Sequence, residues 1–535
     1  MAAQKKVGLR LNLRPPIHLG GGGSKQKVAP SKEYRARPVR VTAVPGRALE
    51  EYDLGDAHVI IADDGEKYLY LVEEPALTDR DQELYALIME SLYYSLRPVE
   101  TQDLMAHIDS FVWQVAEDLG IVDDVKEAWP RLRYYVRRDS VGYGVIDVPM
   151  RDPRLEEVSC TGPGRPVAVV HRNYPAASWL DTNIQFADDE EMRRFVQRLM
   201  QRAGKSVTIA RPLGDAMTKE GHRVAVTLGN EITLPGSTFS IRKFTEQPLT
   251  ITYLVAHNTL PALMAAYLWI ILEQKGFTFV VGGTGSGKTT TMNALLGMLD
   301  PRVKIATIEE TPELNLPHTH WERLVARISY MGESKFDIGL FDLTRLSLRL
   351  RPDYVVVGEA RGEEIQALYQ SAASGHGALS SFHADSPQAA LVRMSAPPLN
   401  VGEAAQMLIW AMVMMNRVRL PGGEVVRRAI QVTEVQPETG EIRLQDIFTW
   451  DARSDTFEPD DPEEIRKRST RLATVERLTG MDAVEEMRGR ASFIEELARR
   501  GAFDYRELAK EFSAWYRRRY GGSPQGPRLE PDRGR

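Results

Sequence analysis

The sequence predicts an α/β fold with a largely parallel sheet in its second half, and three observations predict it. Strand-like apolar runs alternate with helical segments at Phe277–Val281, Lys304–Ile308, Tyr354–Val357 and Ala378–Phe382. The first run leads directly into the glycine-rich stretch VGGTGSGKTT, Val281–Thr290, followed by a segment to Leu299 whose one breaker is Gly297. Glycine, acidic or histidine residues stand just past the carboxyl end of each run, where open α/β sheets place their ligands.

Taken in order, the chain starts with a basic arm. Residues 1–47 hold 11 Lys/Arg and a single acid, Glu33, whereas the whole 535-residue chain carries a formal charge of −6. LGGGGSKQ and several prolines lie in this arm, with no sustained hydrophobic period, so it is expected to be disordered. Such an arm can bind nucleic acid or an anionic membrane surface, or can simply be a solvated tail. His58–Val72, HVIIADDGEKYLYLV, reads as two strands around an Asp-Asp-Gly turn. Helical stretches at 82–96, 101–119 and 122–138 complete a mixed, mostly helical domain, 48–140. From 141 to 258 short β-like runs such as VAVVHR, HRVAVTL and STFSIRKF surround one helix at 188–204, which predicts a second, α+β domain. A linker helix at about 259–274 leads into the α/β domain, 259–445. Region 446–520 is acidic and then helical. Asp504 and Glu507 form a capping-box signal ahead of the stripe Tyr505, Leu508, Phe512 and Trp515. Residues 521–535 are expected to be a loose tail.

Composition narrows the function. A single cysteine, Cys160, excludes an internal disulfide framework and a multi-cysteine zinc site. No signal peptide is apparent, and the most apolar stretch, Leu260–Leu272, contains a proline and is too short to span a bilayer, so a cytoplasmic protein is expected.

Gly282, Gly287, Lys288 and Thr289 fit the G-x-x-x-x-G-K-[ST] pattern of a phosphate-binding loop. Glycines let backbone N–H groups wrap phosphates, the lysine reaches the terminal phosphates, and the threonine hydroxyl can ligate Mg²⁺. The candidate nucleotide contacts are therefore Gly282, Gly283, Thr284, Gly285, Ser286, Gly287, Lys288, Thr289 and Thr290, with ATP and Mg²⁺ as ligands. Four further clusters accompany the loop. Glu359, after the Tyr354–Val357 strand, stands where a carboxylate holds Mg²⁺ directly or through water. Glu309, Glu310 and Glu313 follow another strand; carboxylates this close repel, which suggests a cation or a base function, the alternative being a solvated acidic turn. His376 and His383 bracket a strand and suit a γ-phosphate sensor or a subunit-interface switch better than a metal pair. Arg345 and Arg349, four apart, share a face if helical. With Arg351, Arg211 and Arg223 they are candidates for charge stabilisation in phosphoryl transfer, or are ordinary surface charges.

VGGTGSGKTTTMNALL, TIEETPEL, LRLRPDYVVVGEARGEE and SGHGALSSFHADS, in this order, resemble the Walker A, Asp-box, Walker B and His-box motifs of the type II/IV secretion ATPase superfamily. DPRLEEVSCTGPGRPVAVVHR, RPLGDAMTKEGHRVAVTL and STFSIRKF resemble its archaeal branch, which includes the archaellum motor and pilus relatives. The resemblance covers roughly residues 50–520. It implies a RecA-like P-loop ATPase core with an α+β, PAS-like N-terminal domain and a mostly helical first domain. It also implies a homo-hexameric ring, with nucleotide between the second domain and the core. The matching catalytic glutamate is Glu313; Lys288 and Thr289 bind phosphates and Mg²⁺, Glu359 supports the metal, His376 and His383 couple the γ-phosphate to domain movement, and Arg223, Arg345 and Arg349 match motif arginines. The four-cysteine zinc insertion of many bacterial members cannot be present.

The expected function is an ATP-hydrolysing hexameric motor that powers a type IV pilus-like or archaellum-like filament, or secretion, through a polytopic membrane platform protein and with peripheral membrane association. The alternatives are a motor for DNA transfer, with nucleic acid on the basic arm, a non-hydrolysing nucleotide-dependent scaffold, and, more weakly, a P-loop kinase.

Overall fold

The computed structural model describes residues 34–95, 103–244, 247–327, 337–438 and 441–521. The chain forms two units, Met1–Lys219 with Val224–Lys243, and Glu220–Arg223 with Phe244–Arg535.

The first unit is built on nine strands: β1 (Arg47–Leu54), β2 (Ala57–Asp63), β3 (Tyr68–Glu73), β4 (Leu155–Cys160), β5 (Pro166–His171), β6 (Leu180–Gln185), β7 (Leu213–Met217), β8 (Arg223–Thr227) and β9 (Thr238–Arg242). They make one sheet in the order β1-β2-β3-β6-β5-β4-β9-β8-β7. The hairpin expected at Asp-Asp-Gly is present: Asp64 accepts the N–H groups of Glu66 and Lys67, and Gly65 takes φ 92°. The helices are α1 (Asp79–Ser95), α2 (Leu104–Leu119), α3 (Val122–Ser140), α4 (Asp147–Arg151) and α5 (Asp189–Arg202). One hydrophobic core takes residues from β2 and β3, from α1 to α3, and from the strands after residue 155. The two N-terminal domains read from the sequence therefore share one sheet and one core. The strand pair that joins them is β3 with β6, parallel at Leu69↔Asp181, a pairing of distant residues that local patterning cannot show.

The expectation of a disordered arm over residues 1–47 is corrected for its last part, since residues 1–33 lie outside the described residues. Ala36 and Val39 are buried. Val39 donates its N–H to Glu74 at 2.8 Å and accepts that of Glu74 at 2.9 Å, while buried Arg138 donates to Arg37 O and to Glu74. Two small apolar anchors and a borrowed strand edge hold a segment with no period of its own.

In the second unit the strands are β10 (Phe277–Gly282), β11 (Ile305–Glu309), β12 (Trp321–Val325), β13 (Tyr354–Glu359), β14 (Gly377–Phe382), β15 (Ile409–Arg419), β16 (Val425–Glu438), β17 (Glu441–Asp451) and β18 (Thr456–Glu458), in the order β12-β11-β13-β14-β10-β15-β16-β17-β18. The six strands from β12 to β15 are parallel and the remaining three continue antiparallel. β10, β11 and β14 are buried along their whole length, as expected for strands covered on both faces. The helices are α6 (Ile251–Ala256), α7 (Ala262–Glu273), α8 (Lys288–Leu296), α9 (Leu340–Ser347), α10 (Glu364–Ala373), α11 (Pro387–Ser395), α12 (Glu403–Gln406), α13 (Pro462–Arg468), α14 (Thr470–Thr479), α15 (Ala483–Arg499) and α16 (Tyr505–Tyr520).

Two further expectations change. The helix taken as a linker, α7, is apolar on all sides and is a core element, with Met264 to Ile271 fully buried. The region after 445 is not separate either. β17 and β18 extend the sheet, and α14 to α16 join the core that contains α7 and α8. Buried Glu434 of β16 pins them: it accepts from Tyr267 Oη at 2.8 Å, from Thr470 N at 3.0 Å and from Ser469 Oγ at the start of α14. Asp504 caps α16 through the N–H groups of Arg506 and Glu507, as the capping signal predicts, and Leu508, Phe512 and Tyr516 form its buried face.

Candidate active site

Because β10, β11, β13 and β14 are parallel and in register, their carboxyl ends bring four loops to one edge of the sheet. Val281 lies level with Phe382, and Glu359 with Ser381 across a bulge in β13.

The Gly282–Thr289 loop leaves β10 and enters α8. Gly282, Gly285 and Gly287 have φ values of 154°, 70° and 97°, and Gly287 is the N-cap of α8. No side chain caps that helix, so its first N–H groups are open to an anion. Gly283, Thr284 and Gly285 are exposed, Thr289 and Thr290 half-buried. Ser286 is turned inward and donates to Gly283 O at 2.9 Å. Lys288 is buried, and its Nζ donates to Gly282 O at 3.0 Å and to Gly283 O at 2.7 Å. Burial lowers its pKa below the usual lysine value, against the raising influence of Glu359 and Glu313.

Glu359 Oε1 lies 3.3 Å from His383 Nε2, joining the end of β13 to the residue after β14. Burial and the Lys288 charge lower the His383 pKa, with Glu359 opposing, so the ring is held toward its neutral form. Glu309, at the end of β11, is buried and accepts the N–H groups of Glu313 and Leu314 at 2.8 and 2.9 Å. Burial pushes its carboxyl up to about 7, despite these hydrogen bonds. Glu313 itself is exposed, and Glu310 pairs with Arg361.

Other predicted residues lie elsewhere. His376 precedes β14 and His383 follows it, so the two stand at opposite edges of the sheet, about 23 Å apart along the strand. His376 Nδ1 donates to Ser371 O at 3.1 Å. Of the two histidines expected to couple a γ-phosphate to domain movement, His383 therefore lies at the edge that carries Lys288 and Glu359, and His376 at the other end of the strand. Arg345 and Arg349 do not share a helix, since α9 ends at Ser347 and Arg349 lies in a 3-10 turn, Leu348–Leu350. Both are exposed on the segment entering β13, at the edge away from Lys288. Arg223, which falls in the second unit, donates to Thr311 Oγ1 at 2.9 Å.

Arg427 was not anticipated. From β16 its Nε donates to Gly285 O at 3.0 Å, bracing the exposed part of the loop. It is 142 residues from that contact, and only the pairing of β10 with β15 and of β15 with β16 brings it there.

A glycine loop between a buried parallel strand and an uncapped helix thus shares one edge with a lysine, a carboxylate–histidine pair and an acidic loop, an arrangement suited to an anionic ligand. Comparison with known proteins agrees. Residues 174–419 match the family described as Type II/IV secretion system protein. An uncharacterized protein of Methanocaldococcus jannaschii, MJ0900, is 30% identical over 496 residues, which is 86% of this chain and 87% of that protein. A putative conjugal transfer protein of Mycobacterium tuberculosis is 30% identical over 301 residues, 52% of this chain and 83% of its own. The VirB11 ATPase of the Brucella suis type IV secretion system, crystallised with sulphate, is 23% identical with a TM-score of 0.28 over 53% of this chain and 90% of its own. The chain belongs to the type II/IV secretion system ATPase superfamily.

Proposed function

We propose that this chain is an ATP-hydrolysing motor that works as a homo-hexameric ring and powers assembly of a type IV pilus-like or archaellum-like filament, or secretion. The observation that carries the reading is the gathering of Lys288, Glu359, His383 and the Glu309–Glu313 segment at one edge of the parallel sheet. The second unit is read as a RecA-like core, and the first as containing the PAS-like α+β portion. Force would pass to a polytopic membrane platform protein from a cytoplasmic position at the inner face of the membrane. No helix of the described residues is long and apolar enough to cross a membrane.

The residues suit ATP with Mg²⁺. Lys288 is a buried cation held by two carbonyls alone, and the Thr289 hydroxyl and Glu359 carboxylate are hard oxygen donors. Among the described residues no cluster of three or more acids, histidines or cysteines could cage a metal, which suits an ion completed by phosphates and water. Bound Mg²⁺ would neutralise phosphate charge as a Lewis acid. Lys288 and the loop N–H groups would bind and orient the phosphates. Glu313, placed by Glu309, would orient the attacking water and take its proton. His383, neutral and tied to Glu359, can hydrogen-bond the terminal phosphate and report its loss. Arg345 and Arg349 are exposed on the segment that leads into the opposite end of β13, so a finger role for either would be exercised on a neighbouring protomer.

Hydrolysis per protomer should rise steeply and cooperatively with protein concentration, because a ring completes its sites between subunits. A flat profile across a range in which the assembly dissociates would replace the ring motor by a self-contained enzyme. A second reading, a motor for DNA transfer, draws on the basic residues 1–33 and on the conjugal transfer relative. Salt-dependent DNA binding lost on deleting residues 1–33 would favour it.

A further inference from the structure

Away from the nucleotide loop, α16 and the segment that runs from Glu313 toward β12 enclose a groove of about 590 Å³. One wall is a single face of α16, where Arg506, Lys510 and Arg517 recur at spacings of four and seven. The other carries Pro317 and His318. None of the lining residues is acidic. Lys510 and Arg517 are exposed, and Glu511, beside Lys510 in sequence, is paired with Arg500 at 3.7 Å. Arg506 is stacked on the Tyr505 ring, 5.4 Å from its centroid. His318 is 6% exposed, with the backbone of Leu299 and Asp300 against its ring.

We propose that this groove binds an extended acidic segment of a partner protein. Its length decides between an acidic chain and a single small anion. The lined face of α16 runs from Tyr505 to Arg517, about 18 Å, with the basic positions about 6 and 10 Å apart. One phosphate cannot reach all three, whereas an extended segment of about six residues spans the distance. The groove also adjoins the proposed catalytic region. Pro317 and His318 lie four and five residues beyond Glu313, and Asn315 between them donates its N–H to Asn293 of α8 at 2.9 Å. A chain seated here touches the segment that joins the phosphate edge to the C-terminal helices.

The test is fluorescence anisotropy of a labelled octa-glutamate peptide titrated with the full chain. Wild type should bind. Lys510→Glu/Arg517→Glu should weaken binding by about tenfold or more, and Arg10→Glu/Arg14→Glu, an equal charge change in the basic arm, by much less. Equal losses in the two double variants, or no binding by wild type, would overturn the proposal. So would displacement by inorganic phosphate beyond that by KCl at the same ionic strength, which would mean a small-anion site. Sedimentation with phosphatidylserine vesicles that depends on Lys510 and Arg517, without peptide binding, would make the face a membrane contact and overturn it equally.

Discussion

Glu309 Oε1 accepts the backbone N–H of Glu313 at 2.8 Å, so a buried carboxyl at the end of β11 sets the position of the exposed carboxylate proposed to act on water. Its second oxygen, Oε2, is buried without a partner. With its carboxyl pushed up to about 7 by burial, Glu309 is readily protonated in the folded protein, and more so than in the unfolded chain.

That shift has a direction in stability. Between about 4.5 and 7 the folded state holds a proton that the unfolded state has lost, so stability falls as pH rises through this window and levels off above it. The contribution is about 3 kcal/mol. Glu309→Gln keeps an acceptor for both N–H groups and cannot ionise. The difference between variant and wild type in urea unfolding should therefore grow in the variant's favour from pH 5 to pH 8. A constant difference would mean that Glu309 is not buried as described.

The water-activating role proposed for Glu313 predicts a split between binding and turnover. Glu313→Gln should bind ATP within a few-fold of wild type and hydrolyse it about 10²–10⁴ times more slowly, whereas Lys288→Ala should lose both. Wild-type turnover in Glu313→Gln would remove this residue from the mechanism.

His383 should titrate below an ordinary histidine, and its neighbours should move it in opposite senses. By NMR, Lys288→Ala should raise its pKa by removing a like charge, and Glu359→Gln should lower it by removing an opposite one. Shifts of the same sign in both variants would contradict the geometry.

Gly282→Ala should be damaging although the added group is one methyl. A Cβ there would lie 2.2 Å from Met415 O on the neighbouring strand, at a backbone φ of 154°. A strand carbonyl has nowhere to retreat, so a loss of about 3 kcal/mol is expected, read as a lowered Tm together with lost nucleotide binding. Gly283, with no positive φ and nothing within 4 Å of an added Cβ, serves as the comparison site for stability.

Glu434→Ala should unfold the C-terminal helices with the core rather than release them. It would strand the buried hydroxyl of Tyr267 and the N–H of Thr470, at a cost of about 3–5 kcal/mol. A separate early transition for residues 462–520, with nucleotide binding retained, would show that the helices are an independent module.

The sequence carried the phosphate loop because its chemistry is contiguous: a strand, a turn and a helix start within fourteen residues, Phe277 to Thr290, need no distant partner to be recognised. The strands β11, β13 and β14 were legible for the same reason, as short apolar runs. What escaped depends on pairing. Arg427 reaches Gly285 only through two strand ladders, and Glu309 is distinguished from Glu310 by which of them faces inward at the end of a strand. The histidines were legible as bracketing one strand, and the length of that strand sets them at its two ends.

β15 forms one wall of the phosphate loop and also one arm of a hairpin with β16, turning at residues 420–424. It lies parallel to β10 from Phe277↔Ile409 to Gly282↔Met415. A pull on the hairpin tip along the strand would therefore load this ladder in shear, all its hydrogen bonds at once, instead of peeling them off singly. Tension in either direction would reach the Gly282 backbone with little slack, so the glycine loop is mechanically stiff along the strand direction.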